Sequence, residues 1–233
     1  MHANSRTIVT NQTEVHQDLP RRVERALAYP LRKPIAEHTR ETFYAADEWL
    51  ATQNKPLILD AGCGVGLSTR QLAQQHPDHA VIGIDRSADR LGREHGALAD
   101  NARLVRADLV DFWRLALVTG WQPTYHYLLY PNPYPKAAHL KSRWHGQPVF
   151  PVILALGGRL EVRSNWRLYI EEFAQATAQA TSTQPEVAEH DPAGEYLTPF
   201  ERKYHASGQR LWRLVIELPY RPALVPVKNG LAG

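Results

Sequence analysis

The chain has 233 residues, 43% hydrophobic and 22% charged, without internal repeats and with a formal net charge of +3. That length suits one domain with a full-sized core and leaves too little for two generous ones. A single cysteine, Cys63, excludes an internal disulfide framework and a cysteine-rich zinc site. No apolar run approaches the ~20 residues of a membrane-spanning helix. The polar first 19 residues lack the apolar centre of a secretory signal, so a soluble cytoplasmic protein is expected. The mild positive charge permits a nucleic-acid partner without demanding one.

In chain order, residues 1–20 read as a polar, loosely ordered arm. They lead into a basic stretch, Arg21, Arg22, Arg25, Arg32, Lys33 and Arg40. Residues 1–34 are therefore expected to form a basic N-terminal arm, ahead of a main domain over 35–220 and an extended tail over 221–233. Pro34 and the apolar spacing after it predict a helix over 35–50. Leu57-Ile58-Leu59 is a short buried strand ending at Asp60 and a glycine-rich turn. A helix over 66–76 follows, broken by Pro77-Asp78, and then a second strand over 80–84 ends at Asp85.

Ser87 is placed to cap a helix running to about residue 98. A third strand over 103–106 precedes Asp108, and a helix is expected over 110–118. A fourth strand spans 125–130. A fifth spans 158–163 and leads into a long helix over 166–180. Strands alternating with helices imply right-handed βαβ units and a parallel sheet. The runs at 186–189 and 210–218 lack an obvious crossover helix between them, so they predict an antiparallel hairpin at the sheet edge. The fold class is thus α/β, a doubly wound Rossmann-like sheet of about seven strands.

Asp60-Ala61-Gly62-Cys63-Gly64-Val65-Gly66 joins a strand to a helix, where glycines allow a sharp turn and close approach of a ligand. A dinucleotide-binding turn is spaced G-x-G-x-x-G so that pyrophosphate reaches the helix N-terminus. Here the third glycine comes one residue early, which suits a phosphate-free ligand such as S-adenosylmethionine. Asp85, 19 residues after Gly66, stands where a carboxylate accepts hydrogen bonds from ribose hydroxyls. Asp108, at the next strand end, stands where adenine would lie. Cys63 reads as a small packing residue, since no general base is placed beside it.

The fourth strand runs into Tyr130-Pro131-Asn132-Pro133-Tyr134-Pro135-Lys136-Ala137-Ala138-His139-Leu140-Lys141-Ser142-Arg143. This segment resembles F-P-D-P-W-P-K-x-x-H-x-K-x-R, the signature of bacterial tRNA (guanine-N7)-methyltransferases. The likeness extends over roughly residues 57–218. It takes in the glycine turn, Gly83-Ile84-Asp85, Asn101 seven residues before Asp108, Ser164-Asn165-Trp166 with Tyr169, and Thr198-Pro199-Phe200-Glu201. The resemblance implies a class I methyltransferase fold and S-adenosylmethionine held by Asp60, Gly62, Gly64, Gly66, Asp85, Asn101 and Asp108. It implies a tRNA guanine gripped by Asn132 and Glu201, with Tyr134, Asn165 and Thr198 beside it. Lys136, His139, Lys141 and Arg143, on an expected extended loop, would contact RNA phosphates.

The sequence departs from the family where Asn132 and Asn165 replace aspartates on the guanine-facing side. Asn132-Pro133-Tyr134 also resembles the N-P-P-[YF] loop of enzymes that methylate exocyclic amines. Methylation of another amine or of a small molecule, and a non-catalytic RNA- or cofactor-binding protein, therefore stay open as alternatives. No histidine spacing of the H-x-x-x-H or H-x-x-E-H kind points to a metal.

Overall fold

The alternation of apolar runs and helical segments resolves into one seven-stranded sheet with helices on both faces. The computed structural model describes residues 5–226. The strands are β1 (Leu57–Ala61), β2 (Ala80–Asp85), β3 (Ala102–Arg106), β4 (Pro123–Leu129), β5 (Gly158–Ser164), β6 (Glu186–His190) and β7 (Leu211–Leu218). Their order is β3-β2-β1-β4-β5-β7-β6; the first five are parallel and β7 runs antiparallel to both its neighbours. The expected antiparallel edge is present, with β6 outermost and β7 inserted between it and β5.

The helices are α1 (Leu19–Ala28), α2 (Glu37–Gln53), α3 (Leu67–Gln75), α4 (Ala88–Leu91), α5 (Leu109–Thr119), α6 (Phe150–Ala155), α7 (Arg167–Thr181) and α8 (Pro199–Ala206). Every residue of β1 and β2 is buried, as parallel strands covered on both faces require. Their side chains alternate between two cores. Leu57, Leu59 and Ala61 join the larger core with α1, α2, α5, α6 and α7, whereas Ile58 joins a smaller one beneath α3. Gly83 is a close-approach glycine: a Cβ there would lie 2.0 Å from the Thr69 hydroxyl of α3.

Four local expectations change. The helix expected over 87–98 is the single turn α4, capped as foreseen by Ser87, which accepts from the Arg90 N–H. Gly92 ends it, and Gly96 takes φ +84. Leu19, Val23 and Ala26 are buried, and α1 packs on α6 and α7, so the stretch foreseen as part of a loose basic arm is a docked helix. The segment 137–146 is not extended but forms two 3-10 turns, Ala137–Ser142 and Trp144–Gly146. The tail turns at Pro222–Leu224, and Leu224 and Val225 pack on the larger core; its remainder, 227–233, lies outside the described residues.

Candidate active site

The carboxyl ends of β1 to β4 open into a crevice of about 490 Å³, where an open α/β sheet binds its ligand. One wall is the glycine turn, with Gly62, Cys63, Gly64 and Val65, followed by Asp85 and Asp108. The opposite wall is Tyr130, Asn132 and Tyr134, with Trp144, Thr198 and Phe200. Gly62 and Gly64 hold φ of +81 and +61. A Cβ on Gly64 would meet nothing within 4 Å, so the backbone there faces open space that a ligand can fill.

Asp85 is buried yet lines the crevice. Its Oδ2 accepts from the Gly64 N–H (3.1 Å), which ties the turn to the end of β2. Its Oδ1 accepts from the Ser87 N–H (2.8 Å) and faces Arg90 at 3.3 Å. Asp108 combines two roles. Its Oδ1 caps α5 through the Asp111 N–H, and it meets Lys33 at 3.3 Å, so one residue of the basic N-terminal stretch sits over this corner.

Three residues expected at the cofactor are held away from the crevice. Asp60 is buried beneath the turn, where its Oδ2 accepts from Ser68 (2.6 Å) and Thr69 (2.7 Å). Among the described residues its Oδ1 has no hydrogen-bond partner, and burial pushes the carboxyl up to about 6. Gly66 starts α3, and a Cβ there would strike Leu104 at 2.8 Å, so it is a packing glycine. Asn101 precedes β3, at the far end of the sheet. Its amide donates to the carbonyls of Ala73, His76 and His79 (3.1, 3.2 and 2.9 Å), fastening the α3–β2 loop. That same loop gathers donor atoms of His76, Asp78 and His79 within 4.8 Å of one another, an arrangement the histidine spacings did not foretell.

On the substrate side, Asn132 and Tyr134 line the crevice, and Asn132 Oδ1 accepts from the Tyr134 N–H at 3.3 Å. Thr198 also borders it, and its hydroxyl caps α8 by accepting from the Glu201 N–H (3.0 Å). Glu201 does not face the crevice. It is fully buried, its Oε1 accepting from Tyr130 (2.9 Å) and Arg163 (2.8 Å) and meeting His190 (3.1 Å), its Oε2 accepting from the Leu197 N–H (2.7 Å). Burial alone would raise its pKa, but the bonds to His190, Arg163 and Leu197 outweigh it and hold the carboxyl at about 2. With its oxygens occupied, Glu201 has little acceptor capacity left for a base.

Arg143, expected to touch phosphate, is fully buried instead. It donates to Glu172 (2.5 Å), to Gln12 (2.9 Å) and to the carbonyls of Tyr134 and Lys136, with its guanidinium 4.8 Å from the Trp166 ring centre. Asn165 donates to Gln209 (2.8 Å) and does not line the crevice. Lys136 and Lys141 remain exposed, and His139 sets its ring edge-on to Tyr134 at 6.2 Å. Three further cations, Arg86, Arg90 and Arg93, line the crevice. Their mutual spacing of three to four residues, directly after Asp85, is the sequence signal for them. Burial raises the Cys63 thiol pKa, which opposes formation of the thiolate.

The chain also has relatives in sequence. A family model described as a putative methyltransferase covers residues 54–214. A tRNA (guanine-N7)-methyltransferase from Nocardioides sp. is 32% identical over 177 residues, 72% of this chain and 68% of that protein. The chain belongs to the tRNA (guanine-N7)-methyltransferase family. A second relative of that description, from Neisseria meningitidis serogroup A, is 27% identical over 176 residues, 72% of each chain.

Solved structures agree on the fold. An antibiotic-related methyltransferase superposes with a TM-score of 0.53 at 16% identity, over 76% of this chain and 94% of its own. The 16S rRNA methyltransferase KamB gives 0.52 at 18% identity, over 75% and 93%. In this methyltransferase, as the family assignment makes it, Asn132 stands on the crevice wall where the signature has aspartate. Residues 5–53, including α1, lie ahead of the matched span.

Proposed function

We propose that this methyltransferase transfers a methyl group from S-adenosylmethionine to guanine N7 in tRNA. The observation that carries the reading is one crevice with two chemically different walls, an open glycine turn with Asp85 and Asp108 facing Asn132 and Tyr134. The turn fits S-adenosylmethionine, since Gly64 leaves open space at its α-carbon and a carboxylate stands beside it. When bound, that molecule supplies a methyl group activated by a positively charged sulfur. Asp85, which lines the crevice beside Arg90, would hold the ribose hydroxyls, and Asp108 would border the adenine.

Guanine N7 carries a free lone pair, so the reaction needs no proton abstraction. The protein's work is alignment of nucleophile and methyl, with stabilisation of the charge arising on the purine. Asn132 orients the base through its amide dipole, and Tyr134 packs beside the ring. Lys136, His139 and Lys141, with Arg86 and Arg93 on the opposite rim, meet tRNA phosphates and make binding salt-dependent. Titration calorimetry with S-adenosylmethionine, followed by tRNA in the same sample, tests this. Cofactor binding that changes on adding tRNA is expected. Binding indifferent to tRNA would point to a small-molecule acceptor, and no cofactor binding would refute the reading.

A further inference from the structure

The loop after β4 that carries Asn132 is bounded by two residues in left-handed backbone, Tyr130 at φ 50 and Tyr134 at φ 45. Aromatic residues adopt that region at an energetic penalty, and they stay there only when their surroundings enforce it. Tyr130 is tied directly to one buried carboxylate, and Tyr134 to another through Arg143. The Tyr130 hydroxyl donates to Glu201 (2.9 Å), and the Tyr130 N–H donates to the Arg163 carbonyl (2.9 Å). Arg163 also pairs with Glu161 (2.7 Å) and Glu201 (2.8 Å), so the first anchor is a buried ion network spanning β5 and α8.

The second anchor is built around Glu172 of α7. Its Oε2 accepts from Arg143 (2.5 Å) and lies 3.0 Å from His145 Nε2, while its Oε1 accepts from Gln12 (2.6 Å) and the His16 N–H (3.0 Å). Burial lowers the His145 pKa, against the opposing pull of Glu172. Arg143 then reaches back to the Tyr134 carbonyl from two nitrogens, Nε at 3.2 Å and Nη2 at 3.0 Å. The N-terminal strap adds a further tie, with Thr10 donating to the Pro135 carbonyl (2.5 Å).

We infer that Glu201 and the Arg143–Glu172 pair are positioning residues, which clamp the two strained ends of the Asn132 loop and make residues 10–16 part of the substrate wall's support. None of these three charged side chains borders the crevice, so they act through Tyr130 and Tyr134. The strap and its glutamine lie outside the span that the family model matches. The clamp rests on the proposed methylation reaction only for its consequence; its geometry stands without it.

Two mild variants test the clamp, Tyr130→Phe at one end and Gln12→Ala at the other. Hydrogen exchange of the Asn132, Tyr134 and Lys136 amides is followed by NMR beside cofactor affinity and tRNA methylation. Losing a hydrogen bond to a charged group should speed exchange at the loop about tenfold, with the Gly62–Gly64 amides unchanged. The same variants should lower the turnover number several-fold while cofactor affinity stays within about twofold, as loss of alignment alone requires. Arg143→Lys, which keeps the charge but loses the fork, should match Gln12→Ala in exchange and not restore turnover. Unchanged loop exchange would overturn the clamp, as would faster exchange with full turnover. Faster exchange in a protein that leaves tRNA unmethylated would keep the clamp and refute the proposed substrate.

Discussion

The two walls of the crevice are built on different physical plans. The cofactor wall is local: a five-residue turn, Gly62 to Gly66, and a carboxylate at the next strand end, joined by one bond from the Gly64 N–H to Asp85. The substrate wall is assembled from residues far apart in the chain, with Glu201, Arg163 and Tyr130 at one end and Arg143, Glu172 and Gln12 at the other. A local plan is set by residues adjacent in the chain. A distributed plan sets the role of each charged residue through a partner distant in sequence.

The largest effect expected from breaking this contrast is at the buried ion network. Arg163→Met leaves Glu201 and Glu161 without their shared cation. Unpairing a buried charge costs about 3–5 kcal/mol, measurable by urea denaturation. An exposed pair such as Arg93–Asp89, beside the cofactor wall, should contribute under about 1 kcal/mol in the same assay.

The buried carboxylates behind the two walls also respond oppositely to pH. Glu172 and Glu201 are held at about 2, below their ordinary value, so their contribution is present above that value and is lost as pH falls toward 2. The loss is on the order of 3 kcal/mol each. Asp60, raised by burial to about 6, has the reverse sign. Its contribution is full below its ordinary value and disappears as pH rises through about 6, so Asp60→Asn should flatten stability between pH 4 and 7 in thermal denaturation. A stability profile that falls on neither side would contradict both assignments.

Smaller effects separate binding from turnover. Asp85→Asn should weaken S-adenosylmethionine affinity by roughly 10- to 100-fold, the range for a hydrogen bond to a charged group, as read by calorimetry. Asn132→Asp should leave that affinity unchanged and raise methyl transfer about tenfold, since a carboxylate stabilises purine charge better than an amide dipole. Lys136→Ala with Lys141→Ala should lower the salt dependence of tRNA binding by about one phosphate contact each.

These contrasts explain what was legible in the sequence. The sheet, its antiparallel edge, the glycine turn, Asp85 and Asp108 follow from short-range patterns of apolar residues, glycines and strand-end acids. The family resemblance implies Asn101 at the cofactor, yet the seven residues that separate it from Asp108 span the whole of β3 and put it at the opposite end of the sheet. Arg143 reads as one of an alternating basic set, and only the 3-10 turns at 137–146 rotate it inward onto Glu172, 29 residues away. Glu201 reads as a base-recognising acid because nothing nearby in sequence shows that Arg163, 38 residues earlier, already occupies it. The docked helix α1 was hidden because its buried Leu19, Val23 and Ala26 are interleaved with arginines.

The most direct test of the central claim is mass spectrometry of undermodified tRNA incubated with the purified protein and S-adenosylmethionine carrying a labelled methyl group. Labelled 7-methylguanosine at a defined position is expected, in amounts that fall as salt is raised. Label on an exocyclic amine, or none on tRNA while the protein binds S-adenosylmethionine, would contradict it.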